Sequence, residues 1–185
     1  MTGDKQAVYQ QLLVVRAQRG DAGALEELIA LWEPRLFYYV RRLVDQEADA
    51  WDVLQKTWVK LMRRVKTLRD PQALPRWLYT LARNTAIDHA RARPADHLSL
   101  NEAEGYEEPR SEPNEEIGFD DAEAVHRALG RISAAHREVL TLFFLQDLSV
   151  EEIGEVIGVP QGTVKSRLYY ARRALREEME KEGKR

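Results

Sequence analysis

The stretch that decides the fold of the C-terminal part runs from Leu148 to Leu175 and reads LSVEEIGEVIGVPQGTVKSRLYYARRAL. Ser149 and Glu152 have the spacing of a capping box, in which each side chain accepts a hydrogen bond from an otherwise unpaired backbone amide. Gly158 and Pro160 then interrupt the chain before a basic segment. Two helices joined by a short turn, the second one basic, predict a helix-turn-helix.

The second helix of this motif is predicted to have two faces. Val164, Leu168, Ala171 and Leu175 recur at steps of four, three and four, so this stripe should pack on the preceding helix. Between residues 159 and 176 there are five Lys/Arg and no Asp/Glu. A solvated basic helix is the plain alternative, but a cationic helix-turn-helix favours nucleic-acid binding. The face predicted to be exposed carries Lys165, Ser166, Arg167, Tyr169, Arg172, Arg173 and Arg176.

Charge is distributed unevenly along the 185 residues. Residues 1–93 hold 16 Lys/Arg against 11 Asp/Glu, and residues 122–185 hold 11 against 10. Residues 94–121 hold one against ten, together with three Pro and two Gly, which is typical of an extended linker. Two interpretations stay open for this linker: a solvated spacer, or an acidic mimic of nucleic acid that covers the basic domains.

The first domain, residues 1–93, is predicted to be helical because its apolar residues recur at three- and four-residue steps. Helices are expected at about 7–19, over 24–44, over 53–65 and from about 76 to 91. In the second domain, residues 122–185, they are expected at about 122–131, 134–146, 149–157 and 161–180. The fold class is therefore all-α, with two small helical domains joined by an acidic linker.

Composition excludes several function classes. The chain has no Cys, which removes thiolate nucleophiles and cysteine metal sites. Its four His are scattered without ligand spacing, and no phosphate-binding Gly loop or nucleophile elbow occurs. No apolar run approaches the length of a membrane span, and the N-terminus has no signal pattern. We expect a soluble cytoplasmic protein that is not an enzyme, without catalytic residues, metal, cofactor or membrane contact.

The helix-turn-helix stretch resembles region 4 of the extracytoplasmic function (ECF) group, also called group 4, of bacterial sigma-70 family sigma factors. The group's pattern is Leu-Ser, two acids, a short helix, then Pro-x-Gly-Thr-Val-Lys/Arg-Ser-Arg and an Ala-Arg pair. This chain keeps it at Pro160, Gly162, Thr163, Val164, Lys165, Ser166, Arg167, Ala171 and Arg172.

The N-terminal domain resembles the same group independently. Its segment DVLQKTWVKLM at 52–62 is similar to region 2.2, and PRWLYTLARNTAIDHARAR at 75–93 is similar to regions 2.3 and 2.4. The resemblance implies a sigma factor that binds core RNA polymerase (β′ coiled coil and β flap) and directs initiation at promoter DNA. Many members of the group are also bound by an anti-sigma factor, which is therefore a candidate partner.

The resemblance assigns three sets of residues. The second domain would read the −35 element with Gln161, Gly162, Thr163, Lys165, Ser166, Arg167, Tyr169, Tyr170, Arg172, Arg173 and Arg176, the last three nearest phosphates. The first domain would open the −10 element with Arg76, Arg83, Asn84, Asp88, His89, Arg91 and Arg93, where Asn84 would hold an extruded base. Asp52, Leu54, Gln55 and Trp58 would contact polymerase.

Two aromatic residues allow more than one interpretation, and three positions differ from the pattern of the group. Trp77 and Tyr79 could stack on bases, although core packing is the stronger interpretation for Trp77. At Trp51 and Lys56 the group commonly has acids, and at Tyr170 it commonly has Arg, so the polymerase surface and the −35 preference are expected to differ here. The rival function, a helix-turn-helix repressor or activator, would need a dimer surface and symmetric half-sites, which the sequence does not show.

Overall fold

The computed structural model describes residues 2–92 and 122–183, all of whose regular structure is helical. The molecule divides into two compact units, residues 1–96 and 97–185. The predicted acidic linker, 94–121, lies outside the described residues. Within the described ranges no helix is both long and apolar enough to cross a lipid bilayer.

The first unit contains four helices: α1 (Thr2–Gln18), α2 (Ala22–Leu43), α3 (Glu47–Arg64) and α4 (Leu74–Arg91). Two 3₁₀ turns, Val65–Thr67 and Pro71–Ala73, join α3 to α4. Helix α2 packs against α1, α3 and α4, and α3 packs against α4. The four predicted helices are confirmed, except that α1 and α3 each begin five or six residues earlier than expected.

An aromatic cluster fills the centre of the first unit. Trp32, Tyr39 and Tyr79 are all at most 2% exposed, and the Tyr79 ring meets the other two edge to face at 5.9 and 5.1 Å. Edge-to-face contacts of this kind add to the stabilisation that comes from burying the rings. The predicted alternative that Tyr79 stacks on bases is wrong, because its ring is enclosed by α2.

The turn between α1 and α2 is held by a glycine and an aspartate. Gly20 follows α1 with φ +91°, a left-handed conformation that favours glycine and ends the helix. Asp21 caps α2 by accepting a hydrogen bond from the Ala24 amide at 3.1 Å, and Arg16 lies 2.7 Å from the same carboxylate. The Ala24 amide and then Arg16 lower the pKa of Asp21 below its usual value.

The second unit contains α5 (Ala122–Leu129), α6 (Ala134–Leu140), α7 (Val150–Ile157) and α8 (Gln161–Gly183). A π-helical turn, Thr141–Leu145, continues α6, so the helix predicted over 134–146 changes its hydrogen-bond pattern after Leu140. Helix α8 packs against α5, α6 and α7. Its predicted apolar stripe is confirmed: Val164, Leu168, Ala171 and Leu175 are 0 to 5% exposed.

The predicted capping box and turn of the helix-turn-helix are confirmed. The Ser149 hydroxyl accepts from the Glu152 amide at 3.2 Å, and the Glu152 carboxylate accepts from the Ser149 amide at 2.9 Å. Gly158 ends α7 with φ +74°, and its amide and that of Val159 both donate to the Gly154 carbonyl. The turn therefore closes tightly over Gly154, where an added Cβ would meet the Val159 carbonyl oxygen at 2.9 Å.

We expect Gly154→Ala and Gly23→Ala to shift stability in opposite directions. The first places a methyl group against backbone and should destabilise the second unit by about 1–3 kcal/mol. The second adds a good helix former where the nearest atom is 3.4 Å away, and should stabilise α2 by up to about 1 kcal/mol. Hydrogen exchange resolved by segment measures both. Unchanged protection of α7 and α8 in Gly154→Ala would contradict the tight turn.

The lowered pKa of Asp21 predicts a pH-dependent contribution to stability. A carboxyl whose pKa is lower in the folded state stabilises fully above its unfolded pKa of about 4 and loses this contribution as the pH falls through the folded pKa. Asp21→Asn keeps a cap but removes the charge, so its melting temperature should lie below wild type at pH 7 and converge with it in acid. Asp45→Asn, at an exposed position, is the control and should not show this convergence.

Candidate nucleic-acid interface

The outer side of α8 begins at the tight turn after α7. The amides of its first turn have no acceptor within the helix, because helical geometry leaves the first donors unpaired. Gln161 and Lys165 are exposed beside these amides, and Gly162 and Thr163 are half-buried. Amides, a carboxamide, a hydroxyl and an ammonium group thus share one end of the helix, which suits an anion and base edges together.

Two residues of the predicted −35 set lie inside the unit. Ser166 is 3% exposed and its hydroxyl donates to the Gly162 carbonyl at 3.0 Å, while Arg167 is 5% exposed. The prediction that these two side chains lie on the exposed face of α8 is wrong, because neighbouring helices pack against α8 from more than one side. Helix α6 supplies another buried charged residue here, Glu138, at 1% exposed.

The rest of the predicted −35 set lies further along α8. Tyr169 and Tyr170 are half-buried and meet edge to face, with ring centroids 5.1 Å apart. Arg173 is exposed, and its Nε lies 3.1 Å from the Glu177 carboxylate. Arg172, although adjacent, is half-buried with its guanidinium over the rings of two Phe residues of the π turn. Arg176 is exposed.

Some of the predicted −10 residues of α4 are exposed to solvent, and others contact side chains of α3. Asn84 and Arg91 are exposed, and Arg76 is half-buried. Asp88 is exposed but lies 3.1 Å from Lys60 of α3. Arg93 lies outside the described residues.

Helix α3 also contacts His89, the next residue of the −10 set. His89 Nε2 is 3.3 Å from Asp49 Oδ1, close enough for an ion pair when the imidazole is protonated, though not aligned for a hydrogen bond. His89 Nδ1 is 3.4 Å from the Lys56 ammonium. Asp88 and His89 therefore connect α4 to α3, in addition to any contact with DNA.

Burial separates Arg83 from the rest of this set. The side chain is 5% exposed, so Arg83 is buried, whereas Asn84 and Arg91 of the same set are exposed. Asn84, the next residue, faces outward because successive helical residues differ by about 100° in direction. Trp77 is half-buried, which leaves both of its interpretations open.

The predicted polymerase-binding residues of α3 divide by burial in the same way. Asp52 and Gln55 are exposed one turn apart, whereas Leu54 is 1% and Trp58 is 9% exposed. Leu54 and Trp58 therefore belong to the core that supports the exposed pair. Beside that pair, Trp51 is 46% exposed and stacks on Phe37 of α2, with centroids 4.2 Å apart and an interplanar angle of 29°.

Sequence reasoning missed a second cationic surface on the first unit. From residue 53 to residue 69 there is no acid, a signal of the same kind as in α8, and the six Lys/Arg there continue into the 3₁₀ turns. Gln18 of α1 holds that connection by donating to the carbonyls of Val65 and Leu68, at 2.9 and 2.7 Å. Apart from Lys56 and Lys60, which contact α4, the cations of this run are exposed: Arg63, Arg64, Lys66 and Arg69.

Among the residues that the structure describes, no group of three or more His, Asp or Glu is placed to hold a metal ion.

A surface ion pair shifts the pKa values of two side chains near the end of α8. Lys181 lowers the pKa of Glu178, and Glu178 in turn raises the pKa of Lys181. In α1, the hydrogen bond to the Glu27 carboxylate raises the pKa of Tyr9.

The molecule thus combines a unit of four helices around an aromatic core with a second unit that carries a cationic helix-turn-helix. Residues 28–94 match the model of sigma-70 region 2, and residues 128–177 match that of sigma-70 region 4. The chain is 33% identical to the RNA polymerase sigma-H factor of Pseudomonas aeruginosa, over 89% of this chain and 91% of that protein. It belongs to the ECF sigma factors of the sigma-70 family.

Two further relatives agree with this membership. The ECF RNA polymerase sigma-E factor of Escherichia coli is 31% identical over 89% of this chain and 91% of its own length. The sigma factor RpoE of Bartonella quintana, solved in complex with the anti-sigma factor NepR, superimposes with a TM-score of 0.65 at 26% identity, covering 84% of this chain and 96% of that one. The predicted family and all-α fold are thus confirmed, and the chain is an RNA polymerase sigma factor.

The contacts between α3 and α4 generate a prediction about stability. Asp49 and His89 side chains are each 10% exposed, so Asp49→Asn should destabilise the first unit by about 1–3 kcal/mol. Lys60→Gln breaks an ion pair whose partners are 33% and 64% exposed, and should cost less than about 1 kcal/mol. Urea denaturation of the full chain, read by hydrogen exchange in α4, tests the contrast. Equal losses would show that burial of the Asp49–His89 contact does not matter.

Proposed function

We propose that this sigma factor divides promoter recognition between its units, with α8 reading the −35 element as duplex and α4 opening the −10 element. The observation that carries the proposal is the outer side of α8. From its exposed N-terminal turn to Arg176 that side presents cations and amides without an acid, and the first acid is Glu177. A surface of this kind suits a polyanion with readable base edges.

On the −35 duplex, we assign base contacts to the N-terminal end of α8. Gln161 and Thr163 present short polar groups there, and Lys165 extends beside them. Arg173 and Arg176 would hold phosphates further along the helix. Tyr169 and Tyr170 would make the preferred −35 sequence differ from that of other family members, which commonly have Arg at the position of Tyr170. We leave Ser166 and Arg167 out of the base-reading set because burial gives them a supporting role.

At the −10 element, Asn84 is the candidate for an extruded base, since an exposed carboxamide can both donate and accept along a base edge. Arg76 and Arg91 would hold phosphates nearby, and the exposed run from Arg63 to Arg69 would extend the cationic path for the single strand. Opening needs no nucleotide hydrolysis, because captured bases offset a few kcal/mol of unstacking per base.

The core polymerase would bind the exposed side of α3. Asp52 and Gln55 supply polar contacts to the β′ coiled coil, and the half-exposed Trp51 ring borders them on Phe37. The second unit would contact the β flap, and the acidic linker would raise the effective concentration of each weak contact. Since DNA and polymerase are cytoplasmic in bacteria, the cytoplasm is the proposed compartment. Neither enzymatic activity nor a cofactor is part of the mechanism.

An anti-sigma factor is the proposed regulatory partner. This proposal is supported by the B. quintana RpoE structure, which is a complex with the anti-sigma factor NepR, and by its 26% identity to this chain.

In vitro transcription tests the function as a whole. The chain is added to core polymerase from a related bacterium with fragmented genomic DNA, and the 5′ ends of the transcripts are sequenced. Initiation at a shared pair of elements, absent with core enzyme alone, is the expected result. Binding of duplex DNA without polymerase, combined with no initiation, would favour the repressor or activator alternative.

Single substitutions test the division of labour. Lys165→Ala should weaken promoter binding and relax the base preference at its position, whereas Arg173→Ala should weaken binding and reduce the slope of log K against log salt by about 1. Both variants should still retain core polymerase. Asp52→Arg should instead reduce retention of core polymerase in a pull-down. Lys181→Ala, at an exposed position near the end of α8, is the matched control and should leave both readouts unchanged. Loss of polymerase retention in Lys165→Ala would contradict the assignment.

A further inference from the structure

Arg172, one of the cations of the predicted −35 set, lies against two aromatic rings. Its guanidinium carbon lies 5.1 Å from the ring centroid of Phe144 and 5.5 Å from that of Phe143. The two rings meet edge to face at 4.9 Å, so they form a two-sided aromatic corner. The Arg172 Nε is buried, and among the described residues it has no hydrogen-bond partner.

The aromatic corner belongs to the connection between α6 and α7. Both Phe residues lie in the π-helical turn Thr141–Leu145, and the Leu148 amide donates to the Leu142 carbonyl at 3.2 Å just before α7 begins. Arg172 lies at the start of the fourth turn of α8, well beyond the tight turn at Gly158. The arginine thus joins the middle of α8 to the segment that leads into the other helix of the helix-turn-helix.

Arg173 provides an internal comparison. It is the same residue type, one position further along the same helix, yet its side chain is 69% exposed and pairs with Glu177 at 3.1 Å. The two side chains leave α8 in directions about 100° apart. A guanidinium over aromatic rings is stabilised there because it is planar and weakly hydrated. Reaching a phosphate would require Arg172 to leave these rings, whereas Arg173 is already at the surface.

We propose that Arg172 is a positioning residue for −35 recognition: it holds α8 at a set orientation against the π turn through Phe143 and Phe144, and it does not contact phosphate. The proposal rests on the proposed function only in that α8 is the −35 reader. It replaces the sequence-based expectation that Arg172 lies near phosphates with Arg173 and Arg176. Specificity would then depend on a residue that never touches DNA, because α8 must present its N-terminal residues at the correct angle.

The first experiment examines the contact without DNA, by NMR of the full chain. A guanidinium held over two rings should give an Arg172 Nε–H resonance shifted upfield by the ring currents and protected from exchange. Phe144→Leu keeps an apolar side chain but should move that resonance towards the position of the exposed Arg173. An Arg172 resonance that is already unshifted in the wild-type chain would overturn the proposal.

The second experiment measures promoter binding by reconstituted holoenzyme, on the strongest promoter fragment recovered by transcript sequencing. Arg172→Gln and Phe144→Leu should each weaken binding by about 3- to 30-fold with an unchanged salt slope, since no phosphate contact is lost. Arg173→Gln should reduce the slope by about 1. The double variant Arg172→Gln/Phe144→Leu should bind about as well as either single variant, because both remove the same contact.

The outcomes separate this proposal from the proposed function. A reduced salt slope in Arg172→Gln, or additive losses in the double variant, would identify Arg172 as a phosphate contact and overturn the positioning role. If wild-type holoenzyme fails to initiate at any fragment, the proposed function fails, and the positioning role fails with it. The NMR result then still decides whether Arg172 holds the π turn as a purely structural contact.

Discussion

The second unit depends on one packing constraint, the burial of the apolar stripe of α8 against its neighbours. Val164, Leu168, Ala171 and Leu175 lie on one side of the helix and are almost completely buried, so α8 can rotate about its axis only by exposing them to water. This burial holds the N-terminal turn of α8 outward at the end of the tight turn. Because the buried stripe fixes the orientation of α8 about its axis, Lys165 and Arg173 face solvent.

The first unit couples its two candidate surfaces through α3. Asp52 and Gln55 lie on the exposed side of that helix, whereas Lys56 and Lys60 reach α4 at His89 and Asp88. A helix is a rigid element, so a partner that binds its exposed side also sets the position of the groups that meet α4. The lysine that departs from the family pattern, Lys56, therefore contributes to the contact between α3 and α4 as well as to the charge of the helix proposed to bind polymerase.

Burial also reveals that residue type alone is a poor guide to which cations of a binding helix are available. Arg167 lies about 60° from the centre of the α8 stripe, so a helical wheel could have indicated its burial. Ser166 lies almost opposite the stripe and is nevertheless buried, with its hydroxyl donating to the Gly162 carbonyl. Arg172 gains aromatic neighbours from a segment almost 30 residues earlier in the chain. No local pattern contains that information.

The sequence by itself determined the features that depend on neighbours within about one helical turn. These include the helices and their stripes, the Ser149 capping box, the break at Gly158 that ends α7, and the family to which the motifs belong. Only the tertiary structure decided which polar side chains are available. It buried Arg83 and Ser166, paired Lys60 with Asp88 across 28 residues, and placed Arg172 on two phenylalanine rings. Capping and periodicity are local interactions that a few residues encode, whereas burial and pairing depend on how distant helices pack.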